Sequence, residues 1–370
     1  MKKIIIFFVC FIFMTSTSIS QQKNEEDSNP LFPVQQNGKY GFIDKTGKIV
    51  IEPKYRYFPP GDWRIPESFS EGLSAVMMGD LWGFIDKSGK TVIEPKFKYP
   101  REFSEGLTAV KIGNLWGFMD KTGKTVIEPK FTRVKSFSDG VAVAILDDRS
   151  VYIDKTGKAA FEAQFDDVNS FSEGLAAVKI AKKWGYIDRS GKIVIKPFFL
   201  GRPGTFSEGL AKVQLGKKIG YIDKTGKVAI ELEAREAGSF SEGLALIVTG
   251  AYREEYNSAT RLDRMIISNI DSGGQHVFVG KMWFIDKTGK KAIDLQILKV
   301  NEALLTGFSD GLAAIKIEDK WGYIDKTGKL AIEPQFEAVW PFSQGLAKVK
   351  LGDKHGYIDK TGKYVWKPTN

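Results

Sequence analysis

The sequence is short of the residues that most often carry chemistry. In 370 residues there is one cysteine, Cys10, and there are two histidines, His276 and His355. A single cysteine excludes an internal disulfide and a thiolate metal site, and neither histidine has a second histidine or cysteine at ligand spacing. Phosphate-cradling loops of the GxxxxGK[ST] type and a Gly-x-Ser-x-Gly nucleophile elbow are missing. The one long apolar run, Ile4–Met14, is too short to anchor the chain in a bilayer. Neither sign of charge dominates: 54 basic residues stand against 45 acidic ones, short of what a dedicated nucleic-acid binder needs. No specific nucleic acid, cofactor or metal is therefore expected.

What is abundant is repetition. The segment Phe103–Phe131, FSEGLTAVKIGNLWGFMDKTGKTVIEPKF, recurs in nine versions, with its aspartate at Asp44, Asp86, Asp120, Asp154, Asp188, Asp223, Asp286, Asp325 and Asp359. The basic period is 34 residues, which marks an array of one supersecondary unit whose copies cover each other's apolar faces. Within a unit, three short runs are separated by turn residues, so each copy reads as a three-stranded β-meander. In Leu346–Leu351, alternation places Ala347, Val349 and Leu351 inward and the lysines in water. Gly113 and Asn114 supply the first hairpin turn, and Asp120 with Gly123 the second. Gly117, inside the middle strand, predicts close approach of another group, read here as a ring of the neighbouring unit. Pro129 lacks an N–H donor and is expected to stop the third strand.

Trp82–Gly83, Trp116–Gly117, Trp184–Gly185 and Trp321–Gly322, each followed by an aromatic residue, Ile or Met, and Asp, carry a resemblance. The chain resembles the WG (KWG) β-repeat proteins of bacteria from about Leu31 to Lys367. The resemblance implies a β-repeat scaffold and is not tied to one activity.

Along the chain, Lys2 and Lys3, the apolar run and the small polar residues up to Ser20 have the layout of a secretory leader, residues 1–20. Export to the periplasm, the outer cell surface or the medium is expected, with no transmembrane span after cleavage. Residues 21–30 read as a flexible spacer and 31–370 as a single domain of nine units. The first unit has an abbreviated start, as a terminal cap would, and carries an insertion containing Trp63. In the fourth, Ser150 and Val151 replace the Trp-Gly pair. The seventh is preceded by the insertion 249–280, the least repetitive stretch of the chain.

Repeat scaffolds place insertions in loops on one face, so Tyr252, Arg253, Tyr256, Arg261, Arg264 and His276 are the candidate interaction loop. Trp63 is a candidate aromatic contact. A basic ridge formed by the DKTGK turns would include Lys87, Lys90, Lys121, Lys124, Lys326 and Lys329, with the acidic FSEG turns forming a separate ridge. His355 stands where other copies have Trp and reads as a substituted core aromatic. Asp-Lys-Thr-Gly differs from the Asp-Thr-Gly of aspartic proteases, and nine copies do not make a dyad.

The fold expected is an all-β array of nine three-stranded units, an open solenoid-like stack, with a closed propeller-like ring as the alternative. The function expected is a non-catalytic exported scaffold that binds a protein partner, or alternatively an envelope glycan, at the bacterial cell envelope. An enzyme using the insertion has the least support.

Overall fold

A computed structural model describes residues 29–56, 68–161, 165–254, 276–295, 303–317, 319–352 and 354–367. The leader, most of the spacer and Trp63 lie outside these. Among the described residues there is no α-helix; the strands form nine separate antiparallel sheets of three or four strands. In the third unit, Leu107–Ile112 pairs with Leu115–Asp120, which pairs with Thr125–Phe131. Five sheets gain a short extra strand beside the first, as at Asp167–Val168. In the fourth unit this strand, Arg133–Val134, joins Ala142–Leu146 and Arg149–Ile153, and among the described residues the third strand is reduced to a single bridge from Ile153 to Ala159.

The turns form as their residues dictate. Asp120 Oδ1 accepts the backbone N–H of Thr122 and Lys124 and the Thr122 hydroxyl, at 2.9, 3.1 and 2.6 Å. Gly123 takes the left-handed conformation that closes the loop, with φ 84°.

The strands depart from the simple reading in three ways. First, Pro129 does not end the third strand: the strand continues to Phe131, which pairs with Trp116 across a bulge. The bulge absorbs the missing donor. Second, Gly117 faces the third strand of its own unit and not a neighbour's ring. A Cβ there would collide with the Ile127 carbonyl and crowd Pro129 N, so the glycine lets the bulged strand approach. Third, the first strand is not half in water. Leu107, Thr108, Ala109 and Val110 are all buried, because a unit lies on each side of the sheet; in the ninth unit Leu346 is buried and Leu351 exposed.

The core is therefore a series of interfaces. Phe118, Ile127 and Phe131 of the third unit pack with Phe137, Ala142, Ala144 and Ile153 of the fourth. The phenylalanine opening each unit meets the middle-strand ring of the unit before it edge-on, as in Phe84–Phe103 (5.1 Å), Tyr186–Phe206 (5.0 Å) and Tyr323–Phe342 (4.7 Å).

No sheet closes into a barrel, but the array of sheets returns on itself. Phe32, Val34 and Ile43 of the first unit share a buried cluster with Leu346 and Tyr357 of the ninth, and the rings of Phe32 and Tyr357 lie 5.6 Å apart. Turn glycines sit on the third strand of the preceding unit, as Gly89 does on Ile51, Gly123 on Ile93 and Gly362 on Ile332. Gly47 of the first unit sits in the same way on Val365 of the last. Of the two arrangements of the repeat, these contacts select the ring over the open stack. The first unit is consequently not a cap, and the last has a neighbour.

Closure has a measurable signature. Phe32→Ala and Tyr357→Ala should each cost about 3 kcal/mol in urea denaturation. The double variant should cost about 1 kcal/mol less than their sum, because the two rings touch. Strict additivity would mean that the ends do not meet in solution.

Candidate functional site

The insertion before the seventh unit is built as an extension of that unit's first hairpin. Leu244–Glu254 pairs with His276–Asp286 in one continuous register, from Leu244 opposite Asp286 to Glu254 opposite His276. Ordinary units have strands of five or six residues here; these have eleven. The ladder places Tyr252 opposite Phe278 and Arg253 opposite Val277. Three candidates, Tyr252, Arg253 and His276, thus stand together at the far end of a two-stranded ribbon. Tyr256, Arg261 and Arg264 lie outside the described residues.

The proposed ridges are not separate. The acid of each FSEG turn reaches the following unit, where it accepts a backbone N–H and meets the first cation of the DKTGK turn. Glu71 accepts from Gly106 N at 3.0 Å and pairs with Lys121 Nζ at 3.1 Å, and Lys121 also donates to the Glu71 carbonyl. The same set recurs at Glu105 with Gly140 and Lys155, at Glu173 with Gly209 and Lys224, and at Glu242 with Gly311 and Lys326. Where the acid is the shorter Asp139, the cation is the longer Arg189, at 2.7 Å. Lys87, whose preceding unit has no FSEG acid, donates to the Asn29 carbonyl. The ridge is thereby reduced: Lys121 and Lys326 are ion-paired, whereas among the described residues no ion pair joins the exposed Lys90, Lys124 or Lys329. Sequence spacing could not show this, because the partners are about fifty residues apart in adjacent copies.

Two further sets of polar groups were not singled out in the sequence. Tyrosines of the middle strand donate to the carbonyl of the next link: Tyr152 to Asn169, Tyr186 to Gly204, Tyr221 to Gly238 and Tyr323 to Trp340, at 2.6–2.8 Å. Burial pushes these hydroxyls up, out of the titrating range, so they remain donors. Where the ring is Phe84, Thr108 supplies a hydroxyl to the corresponding Arg101 carbonyl instead. The tryptophans carry cations on their faces, Arg101 on Trp116 and Arg202 on Trp184, both at 5.1 Å. His355 stacks edge-on against Trp340 at 5.5 Å, as expected of a substituted ring.

Among the described residues no cluster of His, Cys, Asp and Glu could hold a metal ion, and no helix is long and apolar enough to cross a membrane. A shallow hollow between the first two units is lined by Lys39, Lys54, Arg56, Met77 and Asp80, with Arg56 and Asp80 paired at 3.0 Å. It brings together no nucleophile with a base.

A sequence model described as "WG containing repeat" matches residues 40–82, 82–116, 116–149, 152–184, 184–199, 219–251, 284–321 and 321–354. No curated protein matches the chain. Among solved structures, a crystal structure of the eukaryotic initiation factor is similar over 92% of this chain and 96% of that one, with 12% identity and a TM-score of 0.58, which shows a shared fold. Lower likenesses are to Kluyveromyces lactis Hsv2p (11% identity, 76% and 89% covered, TM-score 0.40) and the Neurospora crassa Pan2 WD40 domain (12%, 72% and 87%, 0.33).

The nine turn aspartates give the fold an acid limit. All are held below the ordinary carboxyl range. In eight the Thr or Ser hydroxyl bond is the largest cause. In Asp359 partial burial opposes a net lowering led by Thr361. A depressed folded-state value means stability that is present above the ordinary aspartate value of about 3.9 and lost as pH falls through the folded values beneath it. The thermal midpoint should hold from neutrality down to about pH 5 and fall below about pH 4. A midpoint that rises below pH 4 would contradict this role of the turns.

Proposed function

This chain belongs to the WG-repeat family, and from that premise we propose that it is an exported, non-catalytic scaffold at the bacterial cell envelope whose ring presents the Leu244–Asp286 hairpin to a protein partner. The observation that carries the reading is the ribbon itself. Eight units are held to nearly one design by their contacts on both sides, whereas the seventh lengthens its hairpin to eleven residues on each strand. The hairpins of the neighbouring sixth and eighth units stop at five or six residues per strand. The far end of the ribbon carries Tyr252, Arg253 and His276, types suited to side-chain recognition of another protein.

The glycan reading has less support. It drew on a continuous basic ridge, and two of the six lysines named for that ridge are neutralised by Glu71 and Glu242. Trp63 stays a candidate contact outside the described residues.

The test is a pull-down from envelope extract, using the full chain beside a variant in which residues 249–280 are replaced by the short turn of an ordinary unit. Circular dichroism and melting should first establish that both are folded. A partner held by the full chain and lost by the variant is the expected result. Equal capture by both would move recognition to the repeated surface and overturn the assignment to the hairpin.

A further inference from the structure

The fifth unit departs from the others in a different way, through charge and exposed apolar area. Its third strand, Ile193–Phe199, is the exposed edge of its sheet, with Ile195 and Phe199 buried. The residues between face out: Val194, Lys196, Phe198 and then Leu200. Phe198 is 51% exposed and Leu200 80% exposed. At the position of Phe198 the first three units have Lys54, Lys96 and Lys130, and the eighth has Gln335; at that of Leu200 they have Arg56, Lys98, Thr132 and Glu337. The polar choice has a structural use. Lys130 lies over the Phe131 ring at 5.2 Å and donates to the Gly157 carbonyl of the next unit at 3.1 Å. In the fifth unit that tie is given up, and Phe198 stacks on Phe199 at 3.9 Å.

The unit that carries these two side chains is rich in basic residues. Between Phe171 and Thr205 the chain carries seven basic residues and two acidic ones, Glu173 and Asp188, an excess equal to more than half of the formal charge of +9. Phe199 is paired with Trp184, and one residue on from that pair stand Leu200 on one strand and Lys183 on the other. Lys182, Lys183, Lys192 and Lys196 are exposed, and among the described residues none of them is in an ion pair. The nearby acids are partly engaged: Asp167 with Arg202 at 3.5 Å, and Asp166 with the Lys182 backbone N–H at 3.2 Å.

We propose that this edge of the fifth unit docks the protein on an anionic lipid surface, with Phe198 and Leu200 entering the acyl boundary and the lysines meeting acidic headgroups. The surface favours lipid for two reasons. Pro197 lacks a donor, and together with the alternating exposed side chains it makes the edge a poor template for adding a peptide strand. The apolar side chains also project from an exposed edge that carries Lys196 and has Lys183 on the adjoining strand, which is the layout of an interfacial anchor: a small apolar insertion reinforced by charge. This contact is separate from the hairpin of the seventh unit, so either can fail without the other.

The test is co-flotation of the full chain with phosphatidylcholine vesicles prepared with and without phosphatidylglycerol. Binding is expected only with the anionic lipid and should weaken as salt is raised. The variant Phe198→Lys with Leu200→Thr restores residues already used in the third unit, so it should fold and melt like the parent. It should nevertheless bind at least about tenfold more weakly, although it gains a positive charge. A second variant, Lys183→Gln with Lys196→Gln, should lose the preference for phosphatidylglycerol. Equal or tighter vesicle binding by the first variant would overturn the insertion. Failure of the parent to float with either vesicle would overturn the proposal, including the case in which it is retained by immobilised polyglutamate, which would indicate an acidic polymer in place of a membrane.

Discussion

The turn Phe-Ser-Glu-Gly holds one unit to the next. Its acidic residue sits in the left-handed backbone region, with φ between 51° and 56° at Glu71, Glu105, Asp139 and Glu173, where a side chain costs roughly 1 kcal/mol relative to glycine. The cost is offset across the unit boundary. The carboxylate takes the N–H of the next turn's glycine and the cation of the next DKTGK turn, while the serine hydroxyl donates to the next phenylalanine carbonyl, as Ser104 does to Phe137 at 2.8 Å. The turn itself closes within its own unit, where Ser104 and Leu107 exchange backbone bonds, and Gln344 takes the same conformation with no carboxylate; the neighbour's contribution is to offset the cost where an acid is present. At Asp139 the shorter acid meets the longer Arg189, whereas Asp310 keeps the glycine N–H of Gly345 with a lysine in the following turn.

Much of this was legible in the sequence. The nine-fold spacing of IDKTGK gave the number of units, and its turn chemistry gave the hairpins, because Asp, Thr and Gly act within five residues of each other. What sequence could not supply was any contact between copies. Glu71 and Lys121 look like members of two different ridges until adjacent units are packed side by side. Gly117 signalled a close approach, but the approaching group belonged to its own bulged strand. Closure was illegible for a related reason. The first unit lacks the FSEG start and the last reads like a terminus, yet Phe32 and Val34 have a surface prepared for them by Leu346 and Tyr357.

Within so regular a frame, departures are informative because the frame itself tolerates few of them. Replacing the lysine of the third strand by Phe198 forfeits a tie to the next unit. Extending the strands to Glu254 and His276 lengthens the ladder beyond that of any other unit. These two changes fall on different units and use different means, one a change of side chains on an unchanged backbone, the other a change of backbone on an otherwise ordinary unit. Around them, the hydroxyl that caps a link carbonyl can come from Tyr186 in one unit or, where the ring is Phe84, from Thr108 in the next, so the same carbonyl position is met by more than one route.

The meeting of first and last units also orders events in time. Every other interface joins sequence neighbours and can form as soon as both are made, but the contact of Phe32 with Tyr357 joins opposite ends of the array. Until the ninth unit has folded, the first keeps Phe32 and Val34 uncovered beside an unpaired sheet face. Long-range contacts of this kind are the slow ones, since the entropy of bringing distant segments together must be met before the contact rewards it. A growing chain would thus carry one sticky surface from its earliest folded stage to its last. Such an intermediate is the natural point for a chaperone to hold the protein, or for two incomplete chains to join end to end.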